Sequence, residues 1–208
     1  VKTVLSIAEL SGLENLSVLV SSTGDQESKK RFTRELANFF KKNSELVLPE
    51  VKQISAHDPD RAYHAMLEKK DPALDKAPRP IDYLSENSRK VMLETLSLFE
   101  SVGIPYAIEP RLAPEPGLMS ELLFAVEGSD RRGNRVRIAD GGRFDEALRK
   151  DKQPGEIAVS MSMLLDRDAD PEIPRDEPAC FVVHVGDIAK LKSFNALEAL
   201  WRSRLLIG

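Results

Sequence analysis

An α+β fold, followed by the first β–α step of a further α/β unit, is the architecture this sequence predicts on three observations. Helical and strand periodicities alternate along the chain without internal repeat. Two β-prone runs, ELLFAVEG and RVRIA, flank the turn-forming SDRRGN and predict a central hairpin. A Pro- and charge-rich stretch, DRDADPEIPRDEP at residues 166–178, separates the last strong strand pattern from what precedes it and has the composition of an interdomain linker.

Taken in order, LSVLVS at 16–21 is a short strand closed by Ser-Ser-Thr-Gly. Asp25 then caps a helix reaching Lys42, because Phe32, Leu36, Phe39 and Phe40 recur at helical spacing and make one apolar stripe. Residues 43–80 are polar and Pro-punctuated, with a helix near residues 60–69. Ser85 caps a second long helix with Met92, Leu96 and Phe99 inward, and Gly103 ends it. IPYAI at 104–108 reads as a strand, whereas LAPEPGL at 112–118 carries too many prolines for regular structure. After the hairpin, GGRFD leads into a helix through Lys150, and 155–165 is a buried strand or helix. ACFVVHVG at 179–186 is a strand, with a helix opened by Asp187 carrying Ile188, Leu191, Leu197 and Leu200 roughly in phase.

The 208 residues are enough to bury a core, and 41% hydrophobic with 31% charged content suits a soluble globular protein. No apolar run approaches the roughly 18 residues of a membrane span, and no secretory leader pattern opens the chain. The lone Cys180 excludes an internal disulfide and a Cys-based zinc cluster, and fits a reducing compartment; the cytoplasm is the default, with no membrane partner. A chain that opens on Val1 and ends on LWRSRLLIG reads as a piece of something longer. Net charge of −4 confines any RNA contact to local patches.

Few residue patterns carry chemistry. His57 and His64 stand near Asp58 and Asp60, but a metal site needs three or four convergent ligands, and exposed polar residues explain the stretch; no metal is expected. His184 reads as a packed or edge histidine within its strand. Cys180 lies between Ala and Phe, an apolar setting that disfavours a reactive thiolate. G-x-S-x-G, Walker and H-E-x-x-H patterns are absent, so no catalytic residue is named. Two basic clusters are candidates for RNA phosphates: Lys30 and Arg34 with Lys29 and Arg31, and Arg131 and Arg132 with Arg135 and Arg137. The plainer reading of each is a solvated helix face and a charged turn. In IADGGRFDEAL, Gly141 and Gly142 permit close backbone approach, Arg143 suits a carboxylate or phosphate, and Asp145 an amine or imidazole. On spacing alone a ligand loop and a glycine turn are equally good readings.

The order of these pieces resembles histidyl-tRNA synthetase, a class II aminoacyl-tRNA synthetase, over essentially the whole chain. ELSGLENLSVLVSSTGD is similar to a family segment with the pattern I-N-S-x-G-D that opens the domain inserted between motifs 2 and 3. APRPIDYLSENS with GIPYAIEPRL resembles D-Y-L…G-I-x-Y-x-x-D-P-x-L, and IADGGRFDEAL resembles the histidine-binding A-G-G-R-Y-D-G-L. After Leu112 the family has V-R-G-L-D-Y-Y-T-G-x-V-F-E, where this chain reads APEPGLMSELLFA: Pro114 stands for the catalytic arginine, Gly117 for the aspartate, and Leu118 and Met119 for the tyrosines. Motif 3 is similarly eroded, with Leu165 at its ATP-binding arginine.

The resemblance implies an inserted domain over 1–80 and the C-terminal part of a class II antiparallel-sheet core over 81–167. It further implies a linker over 168–178 and the start of an anticodon-binding-like domain over 179–208. It implies a relic histidine-like site at Gly141, Gly142, Arg143 and Asp145, tRNA or a synthetase-like chain as partner, and a homodimer for the parent protein. Loss of the arginines removes charge that adenylate formation requires, so the expected role is binding, regulation or scaffolding without aminoacylation and without a cofactor. The alternatives are part of a divergent histidine–tRNA ligase using ATP and Mg²⁺, and a paralogue of the kind that regulates ATP phosphoribosyltransferase.

Overall fold

The structure is a computed structural model that describes residues 1–113, 119–130, 132–144, 158–164 and 182–203. Its centre is a five-stranded mixed sheet of order β2-β1-β3-β4-β5. The strands are β1 (Glu14–Gly24), β2 (Tyr106–Ile108), β3 (Ser120–Ser129), β4 (Arg135–Arg143) and β5 (Val159–Met163). β1 and β2 run parallel, and every other pairing is antiparallel. The predicted hairpin is β3–β4: Asp130 accepts the backbone N–H groups of Arg132 and Asn134 and closes its turn.

Helices α1 (Lys2–Leu10) and α5 (Glu86–Ser101) cover one sheet face. Their Val4, Leu5, Met92, Leu96 and Phe99 meet Val18, Val20, Phe124 and Val126 in one buried cluster. α5 starts at its predicted Ser85 cap, whose hydroxyl accepts the Ser88 N–H, and Gly103 follows it with φ +67°, the left-handed conformation a glycine adopts without strain. α1 has no counterpart in the sequence reading, which begins its elements at residue 16.

A second core is wholly helical. α2 (Gln26–Lys42), α3 (Pro49–Ser55) and α4 (Pro59–Lys69) bury Phe32, Leu36, Phe39, Phe40, Val51, Tyr63 and Met66, followed by 3-10 turns at Pro72–Lys76 and Pro80–Tyr83. The four-residue stripe predicted for α2 is the stripe that is buried. Asp71, 2% exposed, is kept in the interior by accepting the N–H groups of Leu48 and Ala73.

The sheet draws the first boundary differently from the sequence. β1 lies within the 1–80 segment yet is hydrogen-bonded on both edges to β2 and β3, so the separate helical core runs from α2 to the 3-10 turns. Local sequence shows that residues 14–24 are extended but cannot show a partner about 100 residues away. The chain leaves the sheet at Gly24 and returns at Ser85, and these two points are joined by hydrogen bonds. Asp25 accepts from the Ser28 N–H and hydroxyl and from the Ser85 hydroxyl, its own N–H donates to Ser88 Oγ, and the Ser85 N–H donates to Ser28 Oγ. Burial pushes the Asp25 carboxyl up, but the bonds from Ser28, Ser85 and Glu27 outweigh it and hold the group below the usual aspartate range.

Two other expectations are corrected. β5 is a strand but not a buried one: Val159 is 69% exposed, and the strand is the outer edge of the sheet. Residues 182–185 form no strand, and Val183 and Val185 are almost fully exposed, because among the described residues no strand lies beside them to complete a ladder. His184 is likewise exposed rather than packed. α6 (Asp187–Arg202) does form; its Glu198 accepts from Lys2 of α1 at 2.7 Å and from Arg202 at 2.8 Å. Cys180, the 166–178 stretch, the helix expected through Lys150 and the LAPEPGL prolines at 114 and 116 lie outside the described residues.

Candidate functional site

Cross-strand register assigns the sheet's two faces. Ser21, Leu123, Gly142 and Ser160 stand opposite one another across four strands, and so do Leu19, Ala125, Asp140 and Ser162. These two rows point away from α1 and α5 and form the site face. The alternate rows, with Val20, Phe124, Gly141 and Met161, point to the helices.

Gly141 and Gly142 are therefore not a loop or a strand-to-helix turn. Both lie in β4, between β3 and β5, and neither needs a left-handed φ. Their role is close approach. A Cβ on Gly141 would come within 2.4 Å of the Phe124 ring and 2.8 Å of the Ser160 carbonyl oxygen. One on Gly142 would reach 2.5 Å from the Leu122 carbonyl oxygen and 3.2 Å from Met119 Sδ. Alternation also separates the proposed site residues: Gly142 belongs to the site face, whereas Gly141 and Arg143 belong to the opposite one. Asp145 is outside the described residues. Paired glycines suit a ligand loop and a glycine turn equally well on spacing alone; the tight β3–β4–β5 packing that demands them is a tertiary fact.

The site face is apolar at its centre and polar at one end. Leu112, Leu123 and Ala125 are buried there, with Leu19 and Met119 packed against them. Toward the start of β3, Ser21 Oγ and Thr23 Oγ1 are buried with no hydrogen-bond partner among the described residues. Next to them Glu121, 9% exposed, pairs in register with Gly24, and the ladder is bulged on both sides of it. Its φ of +57° is unfavourable for a residue with a Cβ. The position is the one at which the T-G-x-V-F-E motif quoted above has glycine, which is the residue this conformation suits.

Above this end lies α2. Gln26, Lys29, Lys30, Thr33, Arg34 and Ala37 line an open groove of about 560 Å³. Lys30 and Arg34, chosen from sequence, are exposed here; Arg34 approaches Glu35 at 3.5 Å. Half-buried Lys29 donates from Nζ to the Met119 carbonyl oxygen at 2.9 Å. Thr33 donates to both Asp60 oxygens, and burial raises the Asp60 carboxyl despite that bond and nearby Lys29. The second basic cluster is different: Arg135 pairs with Glu127 at 2.7 Å and Arg137 with Asp140 at 3.5 Å, Arg132 is exposed in the hairpin turn, and Arg131 is outside the described residues. The two clusters look alike in sequence, but the first lines a groove, whereas Arg135 and Arg137 of the second are paired with carboxylates. Lys29 belongs to the first basic cluster and Met119 stands at a tyrosine position of the family motif. Ser21 and Thr23 were not singled out from sequence as ligand or contact residues, and Glu121 is signalled only by the glycine that the motif has at its position.

Among the described residues no three His, Cys, Asp or Glu side chains converge as metal ligands. His57 is exposed, and His64 stands 3.6 Å from Glu68 one turn along α4. No helix among these residues is long and apolar enough to cross a membrane.

The mixed sheet, with α1 and α5 on one face and a helical unit attached at Gly24 and Ser85, is consistent with a class II synthetase-like fold. The crystal structure of apo S. aureus histidyl-tRNA synthetase matches 99% of this chain and 52% of its own at a TM-score of 0.62 and 20% identity, a likeness of fold. In sequence the chain is similar to histidine–tRNA ligases: 26% identical over 204 residues to that of Bacillus subtilis and 27% over 205 residues to that of Thermosynechococcus vestitus, each covering 94% of this chain. The chain spans about half the length of these curated relatives, 48% of the first. No family model matches.

Proposed function

We propose that the chain is the C-terminal part of a histidyl-tRNA synthetase-like protein that binds tRNA and does not itself carry out aminoacylation. In this reading the helical unit from α2 to Tyr83 corresponds to the family's inserted domain. The sheet corresponds to the C-terminal part of the core, and the residues around α6 to the entry into the anticodon-binding-like domain. The observation that carries it is the side chain of Met119 against Gly142. Where the family motif has a tyrosine, a thioether occupies the space beside Gly142, so a histidine-like ligand finds an apolar plug instead of a hydroxyl-bearing wall.

The described part of this face also gives a triphosphate little unpaired positive charge. Among the described residues its two central rows contain no lysine or arginine, and Arg137 beside them stands 3.5 Å from the Asp140 carboxylate. Adenylate chemistry needs preorganised positive charge on the phosphates. What the chain does offer a polyanion is the α2 groove with Lys30 and Arg34, at the junction of the two cores. Electrostatic contact there is sequence-independent and salt-sensitive.

The test is a charging assay with ATP, Mg²⁺, histidine and a tRNA-His transcript, run beside fluorescence anisotropy with the same labelled transcript. No charged tRNA above background is expected, with binding that weakens as salt rises and falls about tenfold in the Lys30→Ala, Arg34→Ala double variant. ATP-dependent charging by this chain would instead favour a divergent ligase, and binding indifferent to the double variant would remove α2 from the RNA interface.

A further inference from the structure

The groove on α2 and the plug over Gly142 are connected by one residue. Lys29 lines the groove, and its Nζ donates to the Met119 backbone carbonyl at 2.9 Å. The side chain of the same Met119 stands against Gly142 and packs with Leu123 and Ala125. Two residues further on is Glu121, in a left-handed conformation between two bulges. The start of β3 is thus held from above by a cation that also faces the groove, at a point where the backbone is already unfavourable.

We propose that Lys29 makes the sheet-face site responsive to the groove: a phosphate-bearing RNA seated along Lys30 and Arg34 recruits the Lys29 ammonium, weakens its bond to Met119 and shifts the plug off Gly142. The physical basis is competition for one ammonium. A phosphate oxygen is a charged acceptor and forms a stronger hydrogen bond with it than a neutral carbonyl does. The element being moved is an irregular strand end carrying backbone strain, so it resists displacement less than a regular ladder would. By linkage, whatever occupies the space vacated beside Gly142 tightens RNA binding by the same factor that RNA tightens its own. This inference rests on the groove being an RNA contact, as proposed above.

The reporters are already in the chain. Met66 and Met92 are buried in the helical and sheet cores respectively, away from Gly142. Methyl-labelled methionine spectra of the full chain, titrated with the tRNA-His transcript while anisotropy follows binding, should show the Met119 methyl shifting in step with saturation and Met66 and Met92 nearly still. In Lys29→Gln, RNA should still bind through Lys30 and Arg34, within about fivefold of the parent, and the Met119 shift should be lost. Binding with a stationary Met119 methyl would overturn the coupling and leave the RNA reading intact. Absence of binding would overturn both, and a Met119 shift that persists unchanged in Lys29→Gln would show that Lys29 is not the link.

Discussion

The helical unit draws its core from residues 32–77, a continuous stretch, whereas the sheet core joins Val4 to Ala139 across the whole described chain. The two also solve the polar problem differently. Helices satisfy their own backbone and need side chains only at the ends, so the helical unit shows Asp58 and Asp71 as caps. The sheet depends on neighbours contributed from far away, and its register shifts between Glu14 and Ser17, between Val126 and Glu127, and around Gly24 and Glu121. The lesson of the contrast is that packing stability and site geometry are carried by different regions, joined at the Asp25–Ser85 network and at Lys29. Four changes break or sharpen that contrast.

The largest effect is expected in the helical core. Leu36 is fully buried, so Leu36→Ala should cost about 3 kcal/mol. Native-state hydrogen exchange should show the loss concentrated in α2–α4 with β1, β3 and β4 still protected; an equal loss in the sheet would make the two cores one cooperative unit. Next is Gly142→Ala, whose new Cβ would meet the Leu122 carbonyl oxygen, a backbone atom that cannot step aside. A loss of about 2 kcal/mol in denaturant melts is expected, confined to the sheet.

The joint comes third. Asp25→Ala removes the α2 cap and leaves the buried Ser28 and Ser85 hydroxyls short of an acceptor, for about 1.5 kcal/mol. Because the Asp25 carboxyl is held below its usual range, its contribution is complete above the ordinary aspartate pKa of about 4 and is lost as pH falls through the lowered folded value. Stability measured from pH 6 down to 2 should therefore fall less steeply in Asp25→Ala than in the parent. An unchanged slope would mean that the network is not what lowers this carboxyl.

The smallest effect isolates backbone from side chain. Both Glu121→Ala and Glu121→Gly delete the carboxylate, but only glycine accepts φ +57° freely. Thermal melts should place the glycine variant about 1 kcal/mol above the alanine variant; equal stabilities would show that the bulge relaxes once the carboxylate is gone.

How much of this was legible follows from the same contrast. Asp25 before a Phe32–Leu36–Phe39–Phe40 stripe and Ser85 before Met92–Leu96–Phe99 contain their own start, period and stop, and these helices form as the residues require. The β3–β4 hairpin is equally local, because the Asp130 turn lies between the strands it joins. α1 escaped notice because nine residues without a side-chain cap give a weak signal, and its burial is decided by the sheet it lies on.

The site was less legible. The resemblance in IADGGRFDEAL drew attention to Gly141 and Gly142, but their strand conformation in β4 was not legible, since paired glycines fit a turn as well as a tight ladder. By itself the sequence determined the helices, their caps and the hairpin, because those depend on contacts within a few turns of chain. Only the tertiary structure decided that β1 belongs to the sheet, that Gly142 and Arg143 face opposite ways, and that the basic cluster on α2 lines a groove. Each depends on which distant strand or helix lies alongside, and no local period records that.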